Sequence, residues 1–135
     1  MDNISPEKRS WNMGKIRAKN TGPEIIVRSL LHSLGYRFRI HSEKLPGHPD
    51  IVLPKYKTII FIHGCFWHRH RKCKYAYTPK TRTEFWNTKF SGNIKRDREV
   101  QFELKQLGWR VLIIWECEIS DKTKLTRRIR RTLPM

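Results

Sequence analysis

Two apolar runs constrain this chain more than anything else in it. Thr58-Ile59-Ile60-Phe61-Ile62 and Arg110-Val111-Leu112-Ile113-Ile114-Trp115 are dense in β-branched and aromatic residues, in a sequence that is otherwise strongly polar. Runs this short have the length of strands, and an almost unbroken apolar character means burial on both faces. A sheet with these two strands inside it is therefore expected.

The other elements arrange around that sheet. Thr21, with Glu24 three residues on as a capping box and Pro23 in the first turn, starts a helix. Ile26, Val27, Leu30, Leu31 and Leu34 give it an apolar face, and Gly35 closes it. Residues 36–40 alternate as a half-buried strand does, and Asp50-Ile51-Val52-Leu53 follows the turn at Leu45-Pro46-Gly47-His48-Pro49. Residues 64–85 are irregular, residues 86–107 are mainly helical up to Gly108, and residues 122–133 form a last basic helix. The first twenty residues, with Trp11, Met13 and Ile16 as their large apolar groups, read as an arm or a loosely attached helix. The order α-α-β-β-β-loop-α-β-α predicts one α/β domain over residues 1–135, with helices against a central sheet.

Charge narrows the partner. The chain carries 29 Lys and Arg against 12 Asp and Glu, a formal charge of +17. Such an excess costs self-repulsion in the compact state and serves to meet an anion; a long polyanion such as DNA fits best. Ribosome-bound and membrane-surface proteins share that composition. No apolar run approaches the roughly 18 residues of a membrane span, and the start lacks the features of a signal peptide, so a cytoplasmic location is expected. Three cysteines in a reducing compartment point to metal ligation before disulfides.

Cys65, His70 and Cys73 lie close enough for one loop to wrap three ligands around an ion, with Cys117 arriving from the end of the 110–115 strand. Four such ligands make a closed, structural zinc site. Buried free cysteines beside a solvent histidine are the plain alternative, and His63 and His68 compete for the histidine position.

Phosphodiester cleavage needs hard oxygen ligands for a metal and a group that activates water. Asp50 sits at the entry to one strand, and strand 58–62 runs into His63 and His68, so hairpin pairing would bring two imidazoles near the carboxylate. Histidine can accept a proton near neutral pH. Asp50 could equally cap its turn, His63 and His68 could be satisfied core groups, and Glu24 could be a capping carboxylate or a metal-site group. Phe66 and Trp67 lie among Arg69, Arg71, Lys72 and Lys74, and Trp86 follows Arg82-Thr83-Glu84-Phe85. Aromatics on a zinc-stapled loop could wedge between base steps; core packing is the alternative, and it is the expectation for Phe61, Trp109 and Trp115.

Several longer motifs resemble the very-short-patch repair (Vsr) endonucleases. They are Leu45-Pro46-Gly47-His48-Pro49-Asp50, Phe61-Ile62-His63-Gly64-Cys65-Phe66-Trp67-His68, Thr81-Arg82-Thr83-Glu84-Phe85-Trp86 and the stretch from Leu107 to Cys117. With Asn12-Met13 the likeness covers about residues 10–120.

The resemblance implies a restriction-endonuclease-like fold and a nick 5′ to the T of a T·G mismatch, the product of 5-methylcytosine deamination. It implies Mg²⁺ held by Asp50 and the backbone carbonyl of Ile62, His68 as general base, and His63 and Glu24 as supporting polar groups. It implies zinc on Cys65, His70, Cys73 and Cys117. Phe66, Trp67 and Trp86 resemble intercalating aromatics, and Met13, Lys89 and Asn93 match positions at the mismatch, which would make residues 1–20 a DNA-contacting arm. A bacterial, nucleoid-associated monomer in contact with mismatch-repair proteins completes the implication.

This chain has Ile62 where the family has Thr, and its run of histidines is thinned to His68-Arg69-His70-Arg71-Lys72. Residues 51–63, which follow Asp50 through the next strand, carry no acidic-x-Lys element, which weighs against a sequence-specific restriction endonuclease. A zinc-bearing module that binds distorted DNA without cutting it is the other alternative.

Overall fold

A computed structural model describes residues 21–135. Among these the elements are α1 (Gly22–Ser33), β1 (Arg39–Ile40), β2 (Ile51–Leu53), β3 (Thr58–His63), α2 (Thr83–Gln106), β4 (Arg110–Trp115) and α3 (Lys122–Thr132). Single 3₁₀ turns follow β2 and β4, at Pro54–Tyr56 and Glu116–Ser120. The expected order holds from α1 onward; the arm or helix expected before it lies outside the described residues. Among the described residues no helix is long and apolar enough to cross a membrane.

The four strands form one mixed sheet in the order β1-β2-β3-β4. β1, β2 and β3 pair antiparallel, whereas β3 and β4 are parallel, from Thr58 opposite Arg110 to His63 opposite Trp115. Parallel neighbours need a crossover, and α2 lies within it.

Strand alternation then sorts the apolar run onto two faces. Ile51, Leu53, Ile60, Leu112 and Ile114 pack with Val27 and Leu31 of α1 and Leu125 and Ile129 of α3. Val52, Ile59 and Phe61 pack with Leu104 of α2 on the other face. Both faces are covered, which is why β3 reads as continuously apolar.

Five expectations need correction. Of the two apolar runs expected inside the sheet and buried on both faces, the second forms the edge strand β4, with Arg110 exposed and Val111, Ile113 and Trp115 only half-buried. The strand foreseen over residues 36–40 is only Arg39–Ile40, because Tyr36 turns into the core and donates its hydroxyl to the Leu133 carbonyl. Helix α2 starts three residues before Trp86, at Thr83. Ile26, placed on the apolar face of the first helix, is 37% exposed, and Leu107, expected to close the apolar stripe of Val100 and Leu104 on the long helix, is 57% exposed. Trp109 and Trp115 are half-buried, leaving Phe61 as the one true core residue of that trio.

Candidate functional site

The β2–β3 hairpin fixes Asp50 beside the end of β3. Ile51 pairs with Ile60, and one step outward the Ile62 N–H donates to Asp50 Oδ2 at 2.7 Å. The turn before it is wedged against α2. Gly47 has φ +76°, and a Cβ built there would meet Val100 Cγ1 at 2.4 Å, so both backbone angle and space require glycine.

The Asp50 carboxyl is in unfavourable surroundings for a charge. Burial, opposed by the Ile62 N–H and reinforced by nearby Glu24, pushes it up to about 7. Glu24 is buried on α1. Its N–H donates to Thr21 Oγ1 at 3.3 Å, as a capped helix requires, while its carboxylate oxygens lie 3.1 and 3.2 Å from His41 Nε2. Two adjacent carboxylates, Glu24 buried and Asp50 half-buried, are a donor set for a hard divalent cation, which would relieve the desolvation that raises Asp50.

His63 ends β3, and His68 sits in the turn that follows, where its N–H bonds the Gly64 carbonyl at 3.1 Å. Their rings stack 3.8 Å apart and 8° from parallel. Burial first, and His68 next, holds His63 down to about 4, so it stays neutral in the folded protein near neutrality. His68 Nδ1–H donates to Asp97 Oδ2 at 2.7 Å, because an ionised carboxylate can only accept. In the neutral ring that bond fixes the tautomer, with the lone pair on Nε2. Asp50, Ile62, His63, His68, Arg96 and Asp97 line one groove of about 390 Å³. Ile62, His63, His68 and Arg96 also line a second groove, of about 580 Å³, together with Trp67, Lys89, Asn93 and the start of α1.

Cys65, His70, Cys73 and Cys117 converge, with one ligand atom of each within 4.8 Å of the others. His70 Nδ1 is 3.7 Å from Cys65 Sγ and 3.4 Å from Cys117 Sγ. Zinc bonds of about 2.3 Å to sulfur and 2.0 Å to nitrogen, at tetrahedral angles, separate ligand atoms by roughly 3.5–3.8 Å. The cluster could hold a metal ion, and its donors and spacings fit zinc. Burial, with Cys117 and Cys73 adding to it, pushes the Cys65 thiol up to about 12, so a cation is needed to draw out the thiolate. The loop wraps this tightly because Arg69 and Lys72 adopt left-handed φ values of +56°. Cys117 is held from behind: Glu118 accepts from the Trp115 N–H at 2.9 Å and from Arg128 at 2.6 Å.

The aromatics form a single half-buried cluster. Phe66 contacts Trp67, Trp86 and Phe90 with ring centroids 5.2, 5.5 and 5.3 Å away, and Phe90 is buried. Neither extreme foreseen for Phe66 and Trp67, free wedge or core, describes rings packed at the base and open at the edge. Asn93 donates to the Trp67 carbonyl at 3.0 Å, Lys89 is exposed at the groove rim, and Met13 lies outside the described residues.

Sequence reasoning missed Asp97, His41 and Arg69. Asp97 had one available signal: Trp86, Phe90, Asn93, Asp97, Val100 and Leu104 repeat at helical spacing, so α2 presents aromatic, then polar, then aliphatic groups along one stripe. Arg69 donates to the carbonyls of Phe66 and Tyr77 at 3.3 and 3.0 Å and lies 3.9 Å over the Phe90 ring, clamping the aromatic loop.

The comparisons with known proteins agree with this geometry. The family described as DNA mismatch endonuclease Vsr matches residues 1–75. The type II nicking enzyme V.XorIIP of Xanthomonas oryzae pv. oryzae is 48% identical over 132 residues, covering 98% of this chain and 96% of the relative. The DNA mismatch endonuclease Vsr of Escherichia coli strain K12 is 48% identical over 118 residues, 87% of this chain and 75% of the relative. The type II nicking enzyme V.NmeAIP of Neisseria meningitidis is 43% identical over 130 residues, 96% and 92% of the two chains. A match to more than half of the sequence, with near full-length relatives at this identity, is decisive: the chain belongs to the Vsr family of DNA mismatch endonucleases.

Proposed function

We propose that this protein nicks one strand of duplex DNA 5′ to the T of a T·G mismatch, using Mg²⁺ for hydrolysis and zinc as a structural staple in a restriction-endonuclease-like domain. One observation carries the reading: a single groove collects Asp50 and His68, with Asp97 behind the imidazole. A DNA-binding module has no need of an acid at the groove floor that repels phosphates.

Asp50 and the Ile62 carbonyl would hold the magnesium ion, which when bound supplies positive charge against the scissile phosphate. His68 Nε2 takes the proton of the attacking water, and Asp97 stabilises the imidazolium that results. Neutral His63 supports the His68 ring by stacking and adds no repulsion to it. Glu24 backs Asp50. Zinc on Cys65, His70, Cys73 and Cys117 holds the loop from which Phe66 and Trp67, with Trp86 of α2, enter the stack beside the mismatch. Lys89 and Asn93 serve the same groove, and Met13 reaches it from a DNA-contacting arm over residues 1–20. The working form is a monomer in the bacterial cytoplasm at the nucleoid, with mismatch-repair proteins as partners.

The test is a nicking assay on duplexes differing by one base, T·G against T·A, each strand labelled separately, with and without Mg²⁺. A magnesium-dependent nick confined to the T strand of the mismatched duplex is expected. Cuts in both strands of the T·A duplex would mean a restriction endonuclease, and tight binding without any cut would mean a non-catalytic module.

A further inference from the structure

His41 has no part in the reaction outlined above, yet its placement is specific. It follows β1 with φ +50°, a left-handed value that is uncommon for non-glycine residues, though histidine adopts it more readily than most. Its backbone N–H donates to the Asp50 carbonyl at 3.3 Å. Its ring Nε2 stands 3.1 and 3.2 Å from the two oxygens of Glu24, whose side chain is 4% exposed. One residue thus joins the main chain of Asp50 to the carboxylate of Glu24, across two elements that are 26 residues apart from Glu24 to Asp50.

We infer that His41 is a positioning residue that holds the Glu24 carboxylate beside Asp50, so that the two acids meet a divalent cation as a preformed pair. The inference rests on the reading of Asp50 as a metal-binding group. A donor shared between both oxygens fixes the plane of the Glu24 carboxylate and limits its rotation about the last side-chain bond. Without it, the Glu24 carboxylate would lose the contact that sets its plane, and a cation would have to reorient it on arrival. Hydrogen-bonded partners behind metal ligands commonly contribute 10- to 100-fold in metal affinity. The left-handed backbone at His41 serves the same function, because it aims the ring at Glu24 while keeping the bond to Asp50.

The experiment measures Mn²⁺ binding to the zinc-loaded, DNA-free protein by counting free ions with electron paramagnetic resonance. Asparagine tolerates a left-handed backbone but is too short to reach Glu24, so His41→Asn removes the grip without straining the turn. Glutamine places its amide nitrogen close to the position of the imidazole Nε2, so His41→Gln restores it. His41→Asn should weaken Mn²⁺ binding about 10-fold or more with zinc content unchanged, and His41→Gln should recover most of the affinity. In nicking assays, the Mg²⁺ concentration for half-maximal rate should shift in parallel, with a smaller change in the rate at saturating Mg²⁺. Wild-type Mn²⁺ affinity in His41→Asn, alongside lost binding in Asp50→Asn, would overturn the role of His41 and leave that of Asp50 standing. Wild-type affinity in Asp50→Asn would remove the foundation of both.

Discussion

The indole of Trp115 lies face to face with the His70 imidazole, with 4.2 Å between ring centroids and 12° between planes. The same ring meets His63 in an edge-type arrangement, with centroids 5.2 Å apart. The last side chain of β4 therefore sits between the thiol cluster and the histidine that backs His68. Order in the metal loop and order in the groove are linked through one ring.

That link gives the first prediction. The protein purified without added metal should carry one zinc per chain. Cys117→Ser should lower the melting temperature, change the tryptophan fluorescence and slow nicking, although no group at Asp50 is touched. Metal and folding free energy are coupled in closed sites. An unaltered melting curve after chelation, with no metal found by mass spectrometry, would refute the structural role.

Asp50 and His68 divide the chemistry, and substitutions should separate them. Asp50→Asn should abolish nicking while leaving mismatch binding intact or slightly tighter, since a carboxylate facing phosphates is lost. His68→Ala should lose about 10²–10⁴-fold in rate with zinc retained. Asp97→Asn should share much of that loss, because an amide can present its N–H₂ to Nδ1 and turn the wrong nitrogen toward water. Full activity in Asp97→Asn would leave the 2.7 Å bond without a role in proton transfer.

Stability should respond to pH through two groups of opposite sign. Asp50 titrates at about 7 in the folded protein against 3.8 ordinarily, so the folded state keeps a proton that the unfolded chain has lost. Its contribution is complete below about pH 4 and is lost as pH rises toward 7. His63 titrates at about 4 against 6.5, so it favours folding above about pH 6.5 and that contribution is lost as pH falls toward 4. Relative to the wild type, zinc-loaded and magnesium-free Asp50→Asn should gain melting temperature as pH rises from about 4 to 6.5, and His63→Gln should lose it. Parallel profiles for all three proteins would show that neither group carries a perturbed titration.

How much of this was legible depends on whether the signal was local. The paired strands were visible because short β-branched runs have few other uses, although only β3 is buried on both faces, and the thiol cluster because three of its ligands fall within nine residues. The hairpin formed as expected, since its strands are joined by one short turn, and Asp50, His63 and His68 line one groove. His41 and Asp97 were not visible, because their partners lie 17 and 29 residues away and a lone histidine or aspartate in a basic chain looks like a solvated group. Trp115 was read as core because a tryptophan ending an apolar run usually is; its position at the sheet edge, beside His70, depends on where the metal loop folds back. Arg69 is one cation among many in its segment, and only the carbonyls it finds distinguish it.

Gly47 gives a prediction about positioning at a distance. Gly47→Ala meets both a left-handed backbone angle and the Val100 side chain. The turn must shift, and Asp50 lies three residues on. A loss of about 1–3 kcal/mol in stability is expected from overpacking, with a rise in the Mg²⁺ concentration needed for nicking. Val100→Ala should restore part of both by clearing the contact. If the double variant is no better than Gly47→Ala, the backbone angle and not the contact with α2 is what requires glycine.

The aromatic cluster tests mismatch recognition most directly. Trp67 and Trp86 lie 5.7 Å apart with their planes tilted by 49° and are half-buried, so their removal has two separable effects. Lost packing against Phe66 weakens the loop and reduces binding to every duplex alike. Lost wedging reduces binding most where unstacking is cheapest, at a mispaired step. Trp67→Ala and Trp86→Ala should therefore weaken binding to T·G duplex more than to T·A duplex, with a difference of about 1–3 kcal/mol if each ring stacks on a base. Arg69→Ala is the control for the first effect: it loosens the clamp on the Phe66 and Tyr77 carbonyls but removes no ring. It should weaken both duplexes by a similar factor. Equal losses on the two duplexes for all three variants would mean that these rings hold the loop and do not read the mismatch.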